Sequence, residues 1–254
     1  MKLKLYLVSS LKKFAIFIIK TFGVIAIIKF VNFYLRKLIN FTHQIQFVIE
    51  WKAGLPSNWF DHNLDLYYLW HKTRNPLGWE RGVFSLLAIR QGARVLELCC
   101  GDGFYANYFY SNRAASVVSV DIDPDAIQAA HKNFSPPNVE YLVADVLTQM
   151  PEGEFDNIVW DSALEYFTKE EIKMVIQKIK LRLSGSGILT GYVVIQDLPR
   201  VGQKYAFRNK ADLLELIKPH FSNIRTFETV YPTRHNLYFF CSESSLPFDE
   251  NWKV

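Results

Sequence analysis

Cysteine is scarce in this 254-residue chain: Cys99 and Cys100 are adjacent and Cys241 is distant. Adjacent cysteines very rarely bridge, and no C-x-x-C pair is present, so the chain builds neither a disulfide framework nor a structural zinc set. A reducing compartment fits this usage. No His/Cys/Asp cluster has metal-ligand spacing, so no metal is expected. Internal repeats, low-complexity tracts and long Gly/Ser linkers are also missing. With half the residues hydrophobic and a mean hydropathy near zero, disorder and collagen-like structure are excluded and a sizeable core is possible. Acidic residues are nearly absent from the first fifty positions, where Glu50 stands alone against eight Lys/Arg. The remainder carries 21 basic and 24 acidic residues. A mildly acidic body lacks a broad phosphate-binding surface, so nucleic acid is not an expected partner.

From Phe14 to Leu35 only Lys20, Thr21, Gly23, Lys29 and Asn32 fall outside the apolar set. Such a run is about long enough to cross a bilayer as helix. At ~100° per residue Lys13 and Lys20 share a face while Lys29 lies roughly opposite, so the stretch is not a tidy amphipathic helix. Phe30, Phe33, Tyr34 and Leu35 follow where a signal peptide would place small residues, so the segment is expected to stay uncleaved. Three readings remain open: a membrane anchor, an interfacial helix whose lysines reach the headgroups, and a helix packed on the body. Basic flanks on both sides give only a slight lean in orientation. The expected location is membrane-associated with the body facing the cytoplasm, the alternative being a soluble cytoplasmic protein.

Residues 51–78 form an aromatic-rich connector that includes Trp59, Phe60, Tyr67, Tyr68 and Trp70. Beyond it the pattern alternates. Strands are expected at Arg94–Leu98, Ser116–Val120, Val139–Val143, Phe155–Trp160 and Ile188–Ile195. Helices are expected at Trp79–Arg90, Ala106–Ser111, Pro124–Asn133 and Lys169–Leu183. Strands separated by helices imply a doubly wound, mostly parallel α/β sheet. A helix over Asp212–Phe221 and strands at Ile224–Val230 and Leu237–Cys241 suggest an antiparallel pair closing it. The organisation is thus a basic helical extension (1–50), a connector or lid (51–78), an α/β domain (79–245) and a tail (246–254).

Gly101-Asp102-Gly103 follows the first strand and opens a helix, so the backbone can turn sharply and approach a ligand without a Cβ in the way. Gly101-x-Gly103-x-x-Ala106, with Asp121 downstream, also fits the dinucleotide fingerprint, which leaves an NAD(P)-dependent oxidoreductase open. Glu97 weighs against it. A carboxylate at this strand end repels a pyrophosphate and favours a ligand bearing an ammonium or a sulfonium.

The run Val95-Leu96-Glu97-Leu98-Cys99-Cys100-Gly101-Asp102-Gly103 resembles the first motif of the class I S-adenosylmethionine-dependent methyltransferases, in their small-molecule branch, with Cys99 in place of a common glycine. Val117 to Pro124 resembles the second motif, Ala144-Asp145-Val146 the third, and Phe155 to Trp160 the fourth strand. The resemblance runs from about Trp79 to Cys241. It implies a Rossmann-like fold, S-adenosylmethionine as cofactor, and cofactor contacts from Glu97, Gly101, Gly103, Asp121, Ile122, Asp145 and Val146. Asp121 would bind the ribose hydroxyls, Asp145 the adenine amino group, and Val146 its flank.

Family members that methylate exocyclic amines of bases carry an Asn/Asp-Pro-Pro-aromatic run, whereas this chain has Asp161-Ser162-Ala163-Leu164-Glu165-Tyr166-Phe167. The expected acceptor is therefore a small or lipid-like molecule. Glu165, beside two aromatic residues, is the first candidate for a general base, and Asp161 the second. Their plainer readings are a solvated helix-start charge and an N-cap. His131 and His235 read as surface residues. Tyr67, Tyr68, Trp70, Trp79 and Arg81 are candidates for an acceptor lid, or for plain hydrophobic packing. The expected function is methyl transfer, the alternatives being a non-catalytic S-adenosylmethionine-binding protein or the oxidoreductase.

Overall fold

The structure is a computed structural model and describes residues 2–21, 23–47, 49, 70, 74–134 and 136–247. Trp59, Phe60, Tyr67 and Tyr68 of the connector, and residues 248–254 of the tail, lie outside the described residues. The chain divides into two compact units, Met1–Ser57 and Asn58–Val254.

The first unit contains α1 (Lys2–Thr21) and α2 (Val24–Phe47). Gly23 separates them in a left-handed conformation, φ 63°. Among the described residues no single helix is long and apolar enough to cross a membrane. Ser10–Lys20 and Val24–Gln46 pass that test only as a pair, bent by 67°.

The second unit is a seven-stranded sheet in the order β3-β2-β1-β4-β5-β7-β6. Its strands are β1 (Arg94–Leu98), β2 (Ser116–Asp121), β3 (Val139–Val143), β4 (Phe155–Asp161), β5 (Leu183–Ile195), β6 (Asn223–Tyr231) and β7 (Arg234–Ser242). The first five run parallel, while β7 is antiparallel to both β5 and β6. Around them lie α3 (Leu77–Ala88), α4 (Phe104–Tyr108), α5 (Pro124–Asn133), α6 (Lys169–Arg182) and α7 (Lys210–Ile217).

Strand alternation sorts side chains between the two faces of the sheet. Leu96, Leu98, Ile158, Trp160, Leu189, Val193, Leu237 and Phe239 join one core with Ile172, Val175, Ile176 and Ile179 of α6. Val95 and Val159 face the other way, into a second core with Tyr105 and Ala106 of α4 and Ile127 and Ala130 of α5. Glu97 and Asp161 share that second face by the same period of two. Gly191 lets β5 lie close to its neighbours, since a Cβ there would sit 2.3 Å from the Trp160 carbonyl oxygen and 2.4 Å from a Phe239 ring atom.

Local signals fix the helix ends. Asp123 caps α5 by accepting the Asp125 N–H, with Pro124 in the first turn. Thr168 and Glu171 form a capping box at α6: Thr168 Oγ1 accepts the Glu171 N–H and Glu171 Oε2 accepts the Thr168 N–H. Several expected boundaries move, by up to five residues; the helix expected at Asp212–Phe221, for one, is Lys210–Ile217. The helix expected at Ala106–Ser111 begins at Phe104, whose N–H donates to Asp102 Oδ1, and after Tyr108 it gives way to a 3₁₀ turn over Tyr110–Asn112. Strand β5 starts at Leu183 rather than Ile188, because Leu183 pairs with Phe155 ahead of an irregularity in the β4 register.

Candidate active site

A cavity of about 370 Å³ opens where β1, β2 and β4 end, lined by residues of α3, the glycine turn, the β2 tip and the loop after β4. The turn from β1 to α4 carries three left-handed residues, Cys99, Gly101 and Gly103. At Gly103 (φ 77°) a Cβ would lie 2.5 Å from Tyr141 Cε1, so only glycine fits. The Gly101 N–H donates to Asp121 Oδ2 at 2.8 Å, and the Asp123 N–H to Asp121 Oδ1 at 3.0 Å. The carboxylate at the β2 tip thus holds the glycine turn and its own loop together. Burial raises its pKa, against these two hydrogen bonds. Beside it Ile122 lines the cavity yet is 66% exposed, an unusual setting for an isoleucine.

Asp161, at the β4 tip, is buried and lines the same cavity. Ser85 Oγ donates to its Oδ2 at 3.3 Å, and Arg81 Nε lies 3.9 Å from the same oxygen. The Arg81 guanidinium rests over the Tyr105 ring at 4.4 Å and near Tyr192 at 5.3 Å. Burial pushes Asp161 up to about 6, while Arg81, Ser85 and the nearby Tyr110 hydroxyl hold it from rising further. Glu97 lies behind the turn, 3% exposed, with Ser119 Oγ donating to Oε2 at 2.8 Å. Burial pushes it up to about 8, opposed by Ser119 and Arg81 and reinforced by the charges of Asp161 and Asp102.

Of the residues singled out from sequence, the cavity gathers Gly101, Asp121, Ile122, Asp161 and Arg81. Glu97 and Gly103 support the turn from behind. The structure does not place Asp145 and Val146 in the cavity lining: Val146 belongs to the first core, and Asp145 accepts from the Leu147 N–H and Thr148 Oγ1 of its own loop. Glu165 is not a solvated helix-start charge. It is 1% exposed, its Oε1 accepts the Val194 N–H at 2.8 Å, and burial raises its pKa, but it lies outside the lining. Asp161 is not an N-cap, since its partners are Ser85 and Arg81. Among the described lid candidates Trp70 and Trp79 are exposed, and only Arg81 lines the cavity. His235 pairs with Glu228 on the β6–β7 hairpin. Ser85, Tyr105 and Tyr192 were missed by sequence reasoning; Tyr105, directly after the glycine turn, carried the one local signal.

Residues 95–187 match the methyltransferase domain family. Residues 95–187 thus make up a methyltransferase domain, and the sheet order is that of the class I methyltransferase fold. An uncharacterized methyltransferase of Synechocystis sp. is 35% identical over 104 residues, which is 40% of this chain and 47% of that protein. A ribosomal protein L11 methyltransferase of Thermotoga petrophila is 32% identical over 94 residues, 35% of each chain. The chain therefore spans less than half the length of these curated relatives. Among solved structures, the N-methyltransferase NodS of Bradyrhizobium japonicum superposes with a TM-score of 0.56 at 18% identity, covering 67% of this chain and 98% of that one. A DhpI–SAM–HEP complex does so with a TM-score of 0.55 at 17% identity, covering 71% and 92%. These likenesses are of fold.

The cofactor of this methyltransferase domain is S-adenosylmethionine, and the residues present fit it. Asp102, Asp121 and Asp161 line the cavity against the one guanidinium of Arg81, with Glu97 behind the turn able to ionise toward a cation, a set of acidic groups suited to a sulfonium and an ammonium. Ile122 offers an apolar surface beside Asp121, as a nucleoside requires. Cys99 and Cys100 also line the cavity, and burial pushes both thiols up, reinforced by Asp121 and Glu97.

Proposed function

We propose that the protein transfers a methyl group from S-adenosylmethionine to a small or lipid-like acceptor. The observation that carries this reading is Asp161, a buried carboxylate in the cavity wall, raised to about 6 and held beside Arg81. When bound, the cofactor supplies a methyl carbon made electrophilic by a sulfonium, with a neutral thioether as leaving group. What the protein must add is orientation and, for a hydroxyl or ammonium acceptor, removal of a proton.

Asp102 adds negative charge toward the cationic end of the cofactor and Glu97 does so as it ionises, Asp121 keeps acceptor capacity for ribose hydroxyls, and Ile122 covers the base. Asp161 takes the acceptor's proton: at neutral pH it is mostly ionised, and Arg81 keeps it so. Arg81 is itself fixed by the Tyr105 and Tyr192 rings, so the pair is preorganised. Glu165 ties the loop after β4 to β5 through Val194 and supports the position of Tyr166 and Phe167, which line the cavity.

The acidic surroundings disfavour the pyrophosphate of NAD(P). The test is calorimetry with S-adenosylmethionine, S-adenosylhomocysteine and NAD, followed by transfer of labelled methyl to an extract of metabolites and lipids. Binding of the two sulfur nucleosides and label in small or lipid products is expected. Preferential NAD binding overturns the reading. Binding without transfer makes the protein a non-catalytic binder, and label confined to precipitated protein shifts the acceptor to the class named in the L11 relatives.

A further inference from the structure

The break at Gly23 changes how the basic, apolar amino terminus reads. Each helix has its own face, so lysines on opposite sides of the break need not share one stripe. In α2, Lys29, Asn32, Arg36 and Asn40 recur at intervals of three and four and fall on one side, with Lys37 adjoining. Ile27, Val31, Tyr34, Leu38, Phe41 and Ile45 fall on the opposite side, and every one of them is exposed. In α1, Lys13 and Lys20 share a face opposite Leu11, Phe14 and Ile18, which are also exposed. Two amphipathic helices thus show water their apolar stripes, and positions 1–47 contain no acidic residue.

We propose that α1 and α2 lie in the plane of an anionic lipid bilayer, apolar stripes among the acyl chains and basic stripes among the headgroups. A spanning arrangement fits less well. Lys29, Arg36 and Lys37 mark about 12 Å of the α2 axis at ~1.5 Å per residue, which would draw charge into the hydrocarbon core. A groove on a protein partner would account for the apolar stripes but not for the one-signed polar faces. An anionic surface accounts for both, since hydrophobic insertion and attraction of Lys/Arg to acidic headgroups add.

The test is flotation of the full-length chain with vesicles of phosphatidylcholine alone or with 30 mol% phosphatidylglycerol. Flotation is expected with the anionic vesicles, far less with the neutral ones, and largely lost in 0.5 M salt. A Lys29→Glu, Arg36→Glu, Lys37→Glu variant is expected to bind anionic vesicles at least about a hundredfold more weakly, at roughly fivefold for each basic residue lost. Leu38→Asp with Phe41→Asp tests the other stripe and is also expected to abolish flotation. S-adenosylmethionine affinity, measured on each variant, must stay at the native value to show that the body is folded. Equal binding to neutral vesicles that resists salt means a spanning or purely hydrophobic insertion and overturns the proposal. So does the absence of flotation, whether the chain is then monomeric or self-associated in sedimentation.

Discussion

The tips of β2 and β4 both end in a buried aspartate facing one cavity, yet the two are held differently. Asp121 accepts two backbone N–H groups, from Gly101 and Asp123, so its orientation is set by the turn it binds. Asp161 meets a hydroxyl and a guanidinium, both on side chains of α3, and sits deeper. Backbone amides cannot leave or change charge, so Asp121 is a fixed fitting for a ligand. Side-chain partners leave Asp161 close to the range in which a carboxylate exchanges its proton. Under the proposed function, identical residues at equivalent strand ends serve positioning in one place and proton transfer in the other.

The sharpest way to break this comparison is at the turn that Asp121 holds. Gly103→Ala puts a methyl group against Tyr141 in a left-handed residue, and calorimetry is expected to show cofactor affinity falling more than a hundredfold, with stability lower by roughly 1–3 kcal/mol. Next comes Asp161→Asn, expected to lower kcat/KM by about 10²–10⁴ while cofactor affinity changes less than about tenfold. A larger loss of affinity than of turnover would reverse the roles assigned to the two aspartates. Asp121→Asn should do the opposite, weakening cofactor binding by about 10–100-fold, the worth of one or two charged hydrogen bonds.

Glu97 gives a pH signature. Its folded pKa, about 8, lies above the ordinary carboxylate value, so the folded state retains a proton that the unfolded chain releases. That contribution to stability is complete at pH 4 and is lost as pH rises toward 8. The thermal midpoint of the cofactor-free protein should therefore decline over this window, and less in Glu97→Gln. A cationic ligand prefers the ionised acid, so part of the gain in S-adenosylmethionine affinity between pH 6 and 8 should vanish in the same variant. The smallest expected effect is Thr168→Ala, which removes half of the capping box and should cost about 1 kcal/mol in denaturant unfolding. Cofactor affinity should not move, because α6 lies on the opposite face of the sheet from Asp161 and Arg81.

How far the sequence reached depended on the range of the interaction. Strands β1 and β3 and helix α5 have the bounds their local patterns predict, because alternation and an Asp-Pro start are contained within a few residues. The carboxyl edge was legible as a ligand site through the glycine turn and Asp121. The Asp161–Arg81–Ser85 grouping was not, since it joins α3 to β4 across some eighty positions and no local pattern encodes that distance. Glu165 shows the converse. Its aromatic neighbours correctly suggested desolvation, but only the fold reveals that the carboxylate turns toward the Val194 N–H. At the amino terminus the lysines on either side of Gly23 fall out of phase on a single continuous helix, and the two stripes follow from the left-handed break there, which no local pattern announces.

The neighbouring thiols beside the glycine turn have a consequence for self-damage. A thiolate is the strongest nucleophile a protein ordinarily offers, and here two cysteines border the place where an alkylating agent would be stored. Their low polarity environment and the adjoining carboxylates keep them protonated, hence sluggish toward alkylation. The same negative field that welcomes the positively charged donor therefore also guards the vessel against it.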